Sequence, residues 1–165
     1  MSMWVRDLQP RGKKRIPIDT GYLRRVGART LATVAPKGAG CSLILIGDSR
    51  MTALNRTFRG VPRPTDVLAF PAEAAGKPAG AEGYLGDVAI SVETARRQAA
   101  RRGHPLERES ALLLIHGILH LVGHDHRTPA QRRRMWRLQA SLLRAHAGPL
   151  PGAKGHSRGR GREDT

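Results

Sequence analysis

The chain has 165 residues, enough for one domain with a core of its own. Its 29 basic and 13 acidic residues leave a net charge of +16, which favours a polyanionic partner, most simply nucleic acid. The single cysteine, Cys41, excludes intrachain disulfides and a multi-cysteine zinc site; no secretory leader or apolar run of membrane-spanning length is visible, so a cytoplasmic protein without a membrane partner is expected.

In chain order, residues 3–8 read as a short edge strand, and 9–19, with Lys13, Lys14 and Arg15, as a loop. Leu23, Val26, Ala28, Leu31 and Val34 predict a helix over 20–35, with Thr20 as its cap. Residues 36–40 break it. Residues 41–46 form a short apolar run of β-formers, expected as a central strand in which Cys41 is a buried, inert thiol. Asp48 then suits the N-cap of a helix over 49–58.

Residues 54–71 place Arg56, Arg59 and Arg63 on a Gly/Pro-rich turn between a helix end and a strand, where binding groups are often held. The planar arginine fork suits bidentate contact with phosphate, which makes all three candidate RNA-binding residues. Arginine at a helix C-terminus also answers the helix dipole, and the residues alone leave both readings open. Thr65 and Asp66 suit pinning the turn and the next strand better than catalysis. Residues 72–82 read as a surface loop and 84–91 as a strand, with Asp87 as a structural hydrogen-bond acceptor rather than a group orienting an imidazole. Residues 93–102 form a helix whose basic face (Arg96, Arg97, Arg101, Arg102) is either simply solvated or lies along an RNA path; Gly103 ends it. Pro105 suits the first turn of the next helix, with Glu107 and Glu109 near its positive end.

That helix carries the chemistry. Residues 111–122 are apolar nearly all round and should be buried, yet they include His116 and His120. Four residues apart, the two rings stack on one helix face and can reach one ion. Gly123 can end the helix in a left-handed conformation, so that the chain reverses and His126 returns to the same point. Three imidazoles with a fourth position open are the layout of a catalytic zinc. An unsatisfied buried polar group costs about 1–3 kcal/mol, which a shared metal, or backbone hydrogen bonds, would relieve. Residues 130–146 predict a last helix, with Met135, Leu138, Leu142 and Leu143 as its buried stripe and Arg132, Arg133, Arg134 and Arg137 on its outer face. Residues 148–165 read as a disordered basic tail, leaving 1–147 as a single domain. With six aromatics, Trp4, Tyr22, Phe58, Phe70, Tyr84 and Trp136, a stacking platform of RRM or OB type is not expected, and RNA binding should rest on phosphate contacts.

The spacing H-x3-H-x5-H with a glycine between resembles the metzincin pattern H-E-x-x-H-x-x-G-x-x-H, but Gly117 stands where those proteases carry their general-base Glu. The whole run 116–126 resembles instead the H-G-x-L-H-L-x-G-y-D-H signature of the YbeY family, bacterial rRNA-maturation endoribonucleases. It departs at His124, where that family more often has Tyr. Residues 54–71 resemble a second family element, L-N-x-x-[YF]-R-x-x-x-x-P-T-D-V-L-S-F-P; its arginine falls on Arg59 and its serine on Ala69. Residues 85–91 resemble L-G-D-I-x-I-S.

The resemblance implies an α+β, zincin-like fold: a small mixed sheet of about four strands covered by helices, with a central metal-bearing helix. It implies one Zn²⁺ held by His116, His120 and His126 plus water, although Ni²⁺ or Co²⁺ suit similar ligands, and no nucleotide cofactor. His116 and Arg59 become the catalytic pair, with Arg59 holding the scissile phosphate; Arg56, Arg59 and Arg63 become the RNA-binding set. The nucleophile stays open between an activated water and the RNA 2′-hydroxyl. Asp125 suits either orienting a ligand ring or stabilising the turn. The implied function is single-strand-specific endonucleolytic cleavage in 3′-end maturation of small-subunit (16S) rRNA and in ribosome quality control. The small ribosomal subunit is the implied partner, with ribosomal proteins or an assembly GTPase beside it. The basic face of the last helix departs from the family, which often carries acidic residues there. Two other readings stand beside this one: a non-catalytic ribosome-assembly factor with a structural zinc, and a metal-dependent hydrolase of another substrate, against which the missing Glu and the positive charge argue.

Overall fold

Alternation along two central strands sorts the chain into layers. In the computed structural model, which describes residues 2–75 and 83–148, strand β2 (Gly40–Ile46) turns Cys41, Leu43 and Leu45 to one side and Ile44 and Ile46 to the other. Strand β4 (Tyr84–Ser91) does the same with Val88 and Ile90 against Ala89. Both faces are covered, which is why these strands read as nearly continuous apolar runs. β1 (Ser2–Asp7) pairs in parallel with β2, and β2 in parallel with β4. β3 (Val67–Pro71) runs antiparallel to β4, giving the order β1-β2-β4-β3. The fold is the four-stranded mixed sheet with helical cover that the family resemblance implies, with β1 at an edge and β2 central as the strand patterns suggest.

The larger core lies on the Leu43/Leu45 side. Helices α1 (Thr20–Val34) and α4 (Leu106–Leu121) bury Leu23, Leu31, Leu114, Ile115, Ile118 and Leu119 there. Helix α5 (Pro129–His146) packs on α4 and adds Met135, Leu142 and Leu143. On the opposite face, helix α2 (Asp48–Arg59) sets Met51 against Ile46, Leu68 and Ala89. Helix α3 (Val92–Arg102) leads from β4 to α4 and contacts both α2 and α4. No helix among the described residues is long and apolar enough to cross a membrane.

Helix starts are where the structure corrects the sequence reading. α1 is capped by Asp19, whose Oδ1 accepts the Tyr22 N–H at 2.8 Å; Thr20 is the first helical residue. Asp48 is likewise not a cap but the first residue of α2, following Gly47. The Asp48 N–H donates to Glu93 Oε1 at 3.0 Å, so the start of α2 is satisfied by a side chain of α3. Asp48 answers in kind. Its carboxylate accepts from the Ser91 and Thr94 hydroxyls at 2.6 Å each and from Arg97 at 2.8 Å. Burial alone would raise the Asp48 pKa, but these three hydrogen bonds and the Arg97 charge outweigh it and hold the carboxyl below its usual range.

Cys41 is fully buried beside Met3, and burial pushes its thiol up to about 12, so it is the inert thiol expected. Asp87 accepts the Tyr84 hydroxyl, which also lies 3.0 Å from Ser42 Oγ; its role is structural. Residues 72–75 form one short 3-10 turn. The remainder of the predicted 72–82 loop and nearly all of the predicted tail, 149–165, lie outside the described residues.

Candidate active site

Helix α4 sits very close to β4 because residue 117 is glycine. A Cβ there would lie 2.5 Å from Val88 Cγ1, well inside van der Waals contact. This seating presents the next helical face, with His116 and His120, to the edge of the sheet. Their rings are half-buried, with centroids 4.6 Å apart and Nε2 atoms 3.0 Å apart. The helix ends one residue later. Gly123, at φ +99, lets the Gly123 and His124 N–H groups fold back onto the carbonyls of His120 and Leu119 at 3.1 and 3.0 Å. The chain then returns, and the His126 ring comes to 4.9 Å from His120 and 5.9 Å from His116. The three histidines singled out in the sequence are thus brought together.

Asp125 holds the returning turn. Its Oδ1 accepts the His126 N–H at 2.7 Å, while Oδ2 pairs with Arg127 at 2.9 Å. Of its two possible roles, this is the turn-stabilising one; its carboxylate is 4.0 Å from His126 Nδ1.

The group that orients the His116 ring is one the sequence reading did not single out. Gln139 of α5 is buried, with its Oε1 2.5 Å from His116 Nδ1. An amide oxygen can only accept, so His116 carries its proton on Nδ1 and turns the Nε2 lone pair towards His120. His120 is driven to the neutral form. Burial lowers its pKa most, the neighbouring His116 and His126 lower it further, and Asp125 and the His124 backbone only partly oppose them, leaving a value of about 4. A neutral imidazole is the metal-binding form. Two nitrogens on a tetrahedral zinc at about 2.0–2.1 Å would stand about 3.3 Å apart, close to the 3.0 Å between these Nε2 atoms. The spacing of these two nitrogens therefore suits a pair of ligands on one ion, while the His126 ring stands further off and no three metal-ligating side chains are drawn into a single cluster among the described residues.

The histidines share a cleft of about 440 Å³ with Arg59, Thr65, Asp66, Gly117 and an apolar wall of Val67, Leu68, Ala69 and Pro71. Arg59 is the last residue of α2, and Gly60, in the left-handed conformation at φ +68, turns the chain away behind it. Arg59 is the one cation among the described residues lining this cleft. Arg56 and Arg63 are exposed and outside the lining; Arg63 enters the local structure through its carbonyl, which accepts from the buried Asn55 at 2.8 Å. Asp66, the one carboxylate in the lining, is already engaged. Oδ1 accepts from the Val67 N–H at 2.7 Å and the Thr65 hydroxyl at 3.4 Å, and Oδ2 accepts from Gln98 at 3.2 Å. It pins the start of β3, as its place before the strand suggests.

Comparison with known proteins gives a consistent picture. The family model described as Endoribonuclease YbeY matches residues 14–147. A Moorella thermoacetica protein named Endoribonuclease YbeY is 49% identical over 137 residues, covering 77% of this chain and 88% of the relative. One of the same name from Anaeromyxobacter sp. strain Fw109-5 is 45% identical over 123 residues, covering 74% of this chain and 62% of the relative, less than two thirds of its length. The solution structure of TM1509 from Thermotoga maritima superposes with a TM-score of 0.56 at 21% identity, covering 93% of this chain and 100% of that one, a likeness of fold.

Proposed function

The chain belongs to the YbeY family of endoribonucleases, and from that premise we propose that it is a zinc-dependent, single-strand-specific endoribonuclease cutting RNA in the histidine cleft. The observation that carries this is the meeting of three imidazoles and Arg59 on one cleft. His116, His120 and His126 would hold the ion. When bound, Zn²⁺ supplies a Lewis acid for a phosphoryl oxygen and lowers the pKa of water. Arg59 binds the scissile phosphate through its guanidinium fork and offsets the charge that builds on the phosphoryl oxygens. Gln139 keeps the His116 ring in one tautomer and one orientation. The apolar wall of Val67, Leu68, Ala69 and Pro71 lowers the local dielectric, which strengthens the Arg59–phosphate attraction. Asp66, with both oxygens taken by the chain, holds the wall in place rather than moving a proton.

The substrate we infer is a precursor of small-subunit rRNA, cut near its 3′ end in the cytoplasm, with a further part in ribosome quality control. The family name and the +16 charge support an RNA substrate. The small ribosomal subunit, and ribosomal proteins or an assembly GTPase, are the partners this role suits. Arg56 and Arg63, outside the cleft, would follow the strand on either side of Arg59.

The test compares wild type, Arg59→Ala and His116→Ala on a purified small-subunit rRNA precursor fragment, with zinc content and thermal stability recorded for each. Arg59→Ala should stay folded and zinc-loaded yet lose cleavage, and His116→Ala should lose both zinc and cleavage. Equal cutting by all three would assign the activity to a contaminant and leave a non-catalytic assembly factor as the better reading.

A further inference from the structure

We propose that the arginine face of α5 binds the phosphodiester backbone of the RNA strand where it leaves the histidine cleft, an assignment that rests on the endoribonuclease reading above. The helix starts well: Thr128 and Gln131 form a capping box and Pro129 occupies its first turn. Its charges are then placed against elementary electrostatics. The first turn holds no acidic residue, and Arg132, Arg133, Arg134 and Arg137 fill the N-terminal half, towards the positive end of the helix dipole. Arg133 and Arg137 are four apart and Arg134 and Arg137 three apart, spacings at which like charges repel. All four are exposed, and none forms an ion pair among the described residues. Arg137 donates only to the Arg133 carbonyl, at 3.4 Å. An anion is what relieves such an arrangement.

The shape and position of this face point to a strand. Arg133, Arg134 and Arg137 line a hollow of about 530 Å³ with Ala130, Leu138 and His124. His124 belongs to the turn that carries His126, and His126 lines the histidine cleft. Two residues of chain span at most about 7 Å, so the hollow and the cleft flank one short turn. Trp136, 64% exposed, stands three and four residues after Arg133 and Arg132 on the same helix. A flat aromatic among cations matches the alternation of base and phosphate on single-stranded RNA better than it matches an acidic protein surface.

The test measures binding of a labelled, unstructured 30-nucleotide RNA by the full chain as a function of salt. It uses wild type, the triple variant R133Q/R134Q/R137Q, and the charge-matched control R96Q/R101Q/R108Q. Three lost phosphate contacts on a single strand should lower the slope of log K against log salt by about 2, so the wild-type advantage should shrink about 20-fold between 50 and 200 mM salt. The α5 variant should melt no lower than wild type, because its repulsion has been removed, and should cut a short oligonucleotide that fills only the cleft at the wild-type rate. An unchanged slope, or an equal loss in the control, overturns the proposal. So does weakened binding of polyglutamate with RNA binding intact, which would give the face to an acidic protein. If wild type cuts neither the short nor the long RNA, the endoribonuclease reading fails, while the salt slope still reports on α5.

Discussion

Helices α3 and α5 carry nearly the same basic sequence pattern and do opposite things with it. On α3, Arg97 pairs with Asp48 of α2 at 2.8 Å, and Arg102 pairs at 2.9 Å with Glu109 of α4, a carboxylate with no solvent exposure that His104 also contacts at 2.5 Å. Arg101 and Arg102 lie in the last turn, where the helix dipole favours cations. The arginines of α5 have no carboxylate partners among the described residues, and four of the five crowd towards the unfavourable end. Counting arginines does not separate the two faces; asking where each charge finds its partner does. On α3 half of the face is internal wiring between helices, whereas on α5 the charge is directed outward.

The largest effect that could break this contrast is at Arg102. Arg102→Ala leaves the buried Glu109 with His104 alone and should cost about 3 kcal/mol, the low end for a broken buried pair because Arg102 itself is half-exposed. Urea unfolding would show it, together with a fall in Tm of about 6–12 °C. A cost no greater than that of an α5 arginine would erase the distinction. Next is Gln139, on the inner side of α5. Gln139→Ala should weaken zinc binding about 10–100-fold, read by competition with a chelator, if α5 serves the site from within as well as from its surface.

A smaller effect belongs to Asp48. Because its folded pKa is depressed, its contribution is present in full above the unfolded value of about 4 and is lost as pH falls through the lower folded value. Asp48→Asn should therefore cost about 1–2 kcal/mol at pH 7 and progressively less below pH 4, measured by unfolding across that range. A constant difference would mean that the charge is not what ties α2 to α3. The smallest effect is at Arg134. Arg134→Gln should change stability by no more than about 0.5 kcal/mol, with any gain confined to low salt, as paired melts at low and high salt would show.

That the three histidines and Arg59 would meet was legible because the information is local. An i, i+4 pair, a glycine and a return of three residues define the histidine end almost without reference to the rest of the chain. Gln139 was not, because it acts on His116 across 23 residues and two helices. Its one signal was an amide in the midst of the Met135–Leu142–Leu143 stripe, a polar residue in a place that should be apolar. Asp48 misled for a related reason: it sits where a helix start would use it as a cap, and it is instead recruited by Ser91 and Arg97 from elsewhere in the fold. Glu109 does lie in the first turn of its helix as read, but its pairing with Arg102 and His104 was not visible in the sequence. The strand positions could be read from alternation, but the order β1-β2-β4-β3 could not, since it depends on pairings between segments some forty residues apart. By residue type Arg56 and Arg63 look equivalent to Arg59, and the motif over 54–71 is what set Arg59 apart; in the fold it is the one of the three that lines the cleft.

The contact between Gly117 and Val88 bears on how this helix could change over generations. A glutamate at position 117 would convert the histidine pair into the protease-type motif, and it is a single substitution in the sequence. In the fold it is two: the side chain has no room until Val88 shrinks, and Val88 is wholly buried in a central strand, so shrinking it first opens a hole in the core. Either order of change passes through a less stable protein. The two chemistries are near neighbours in sequence, with a fitness valley between them.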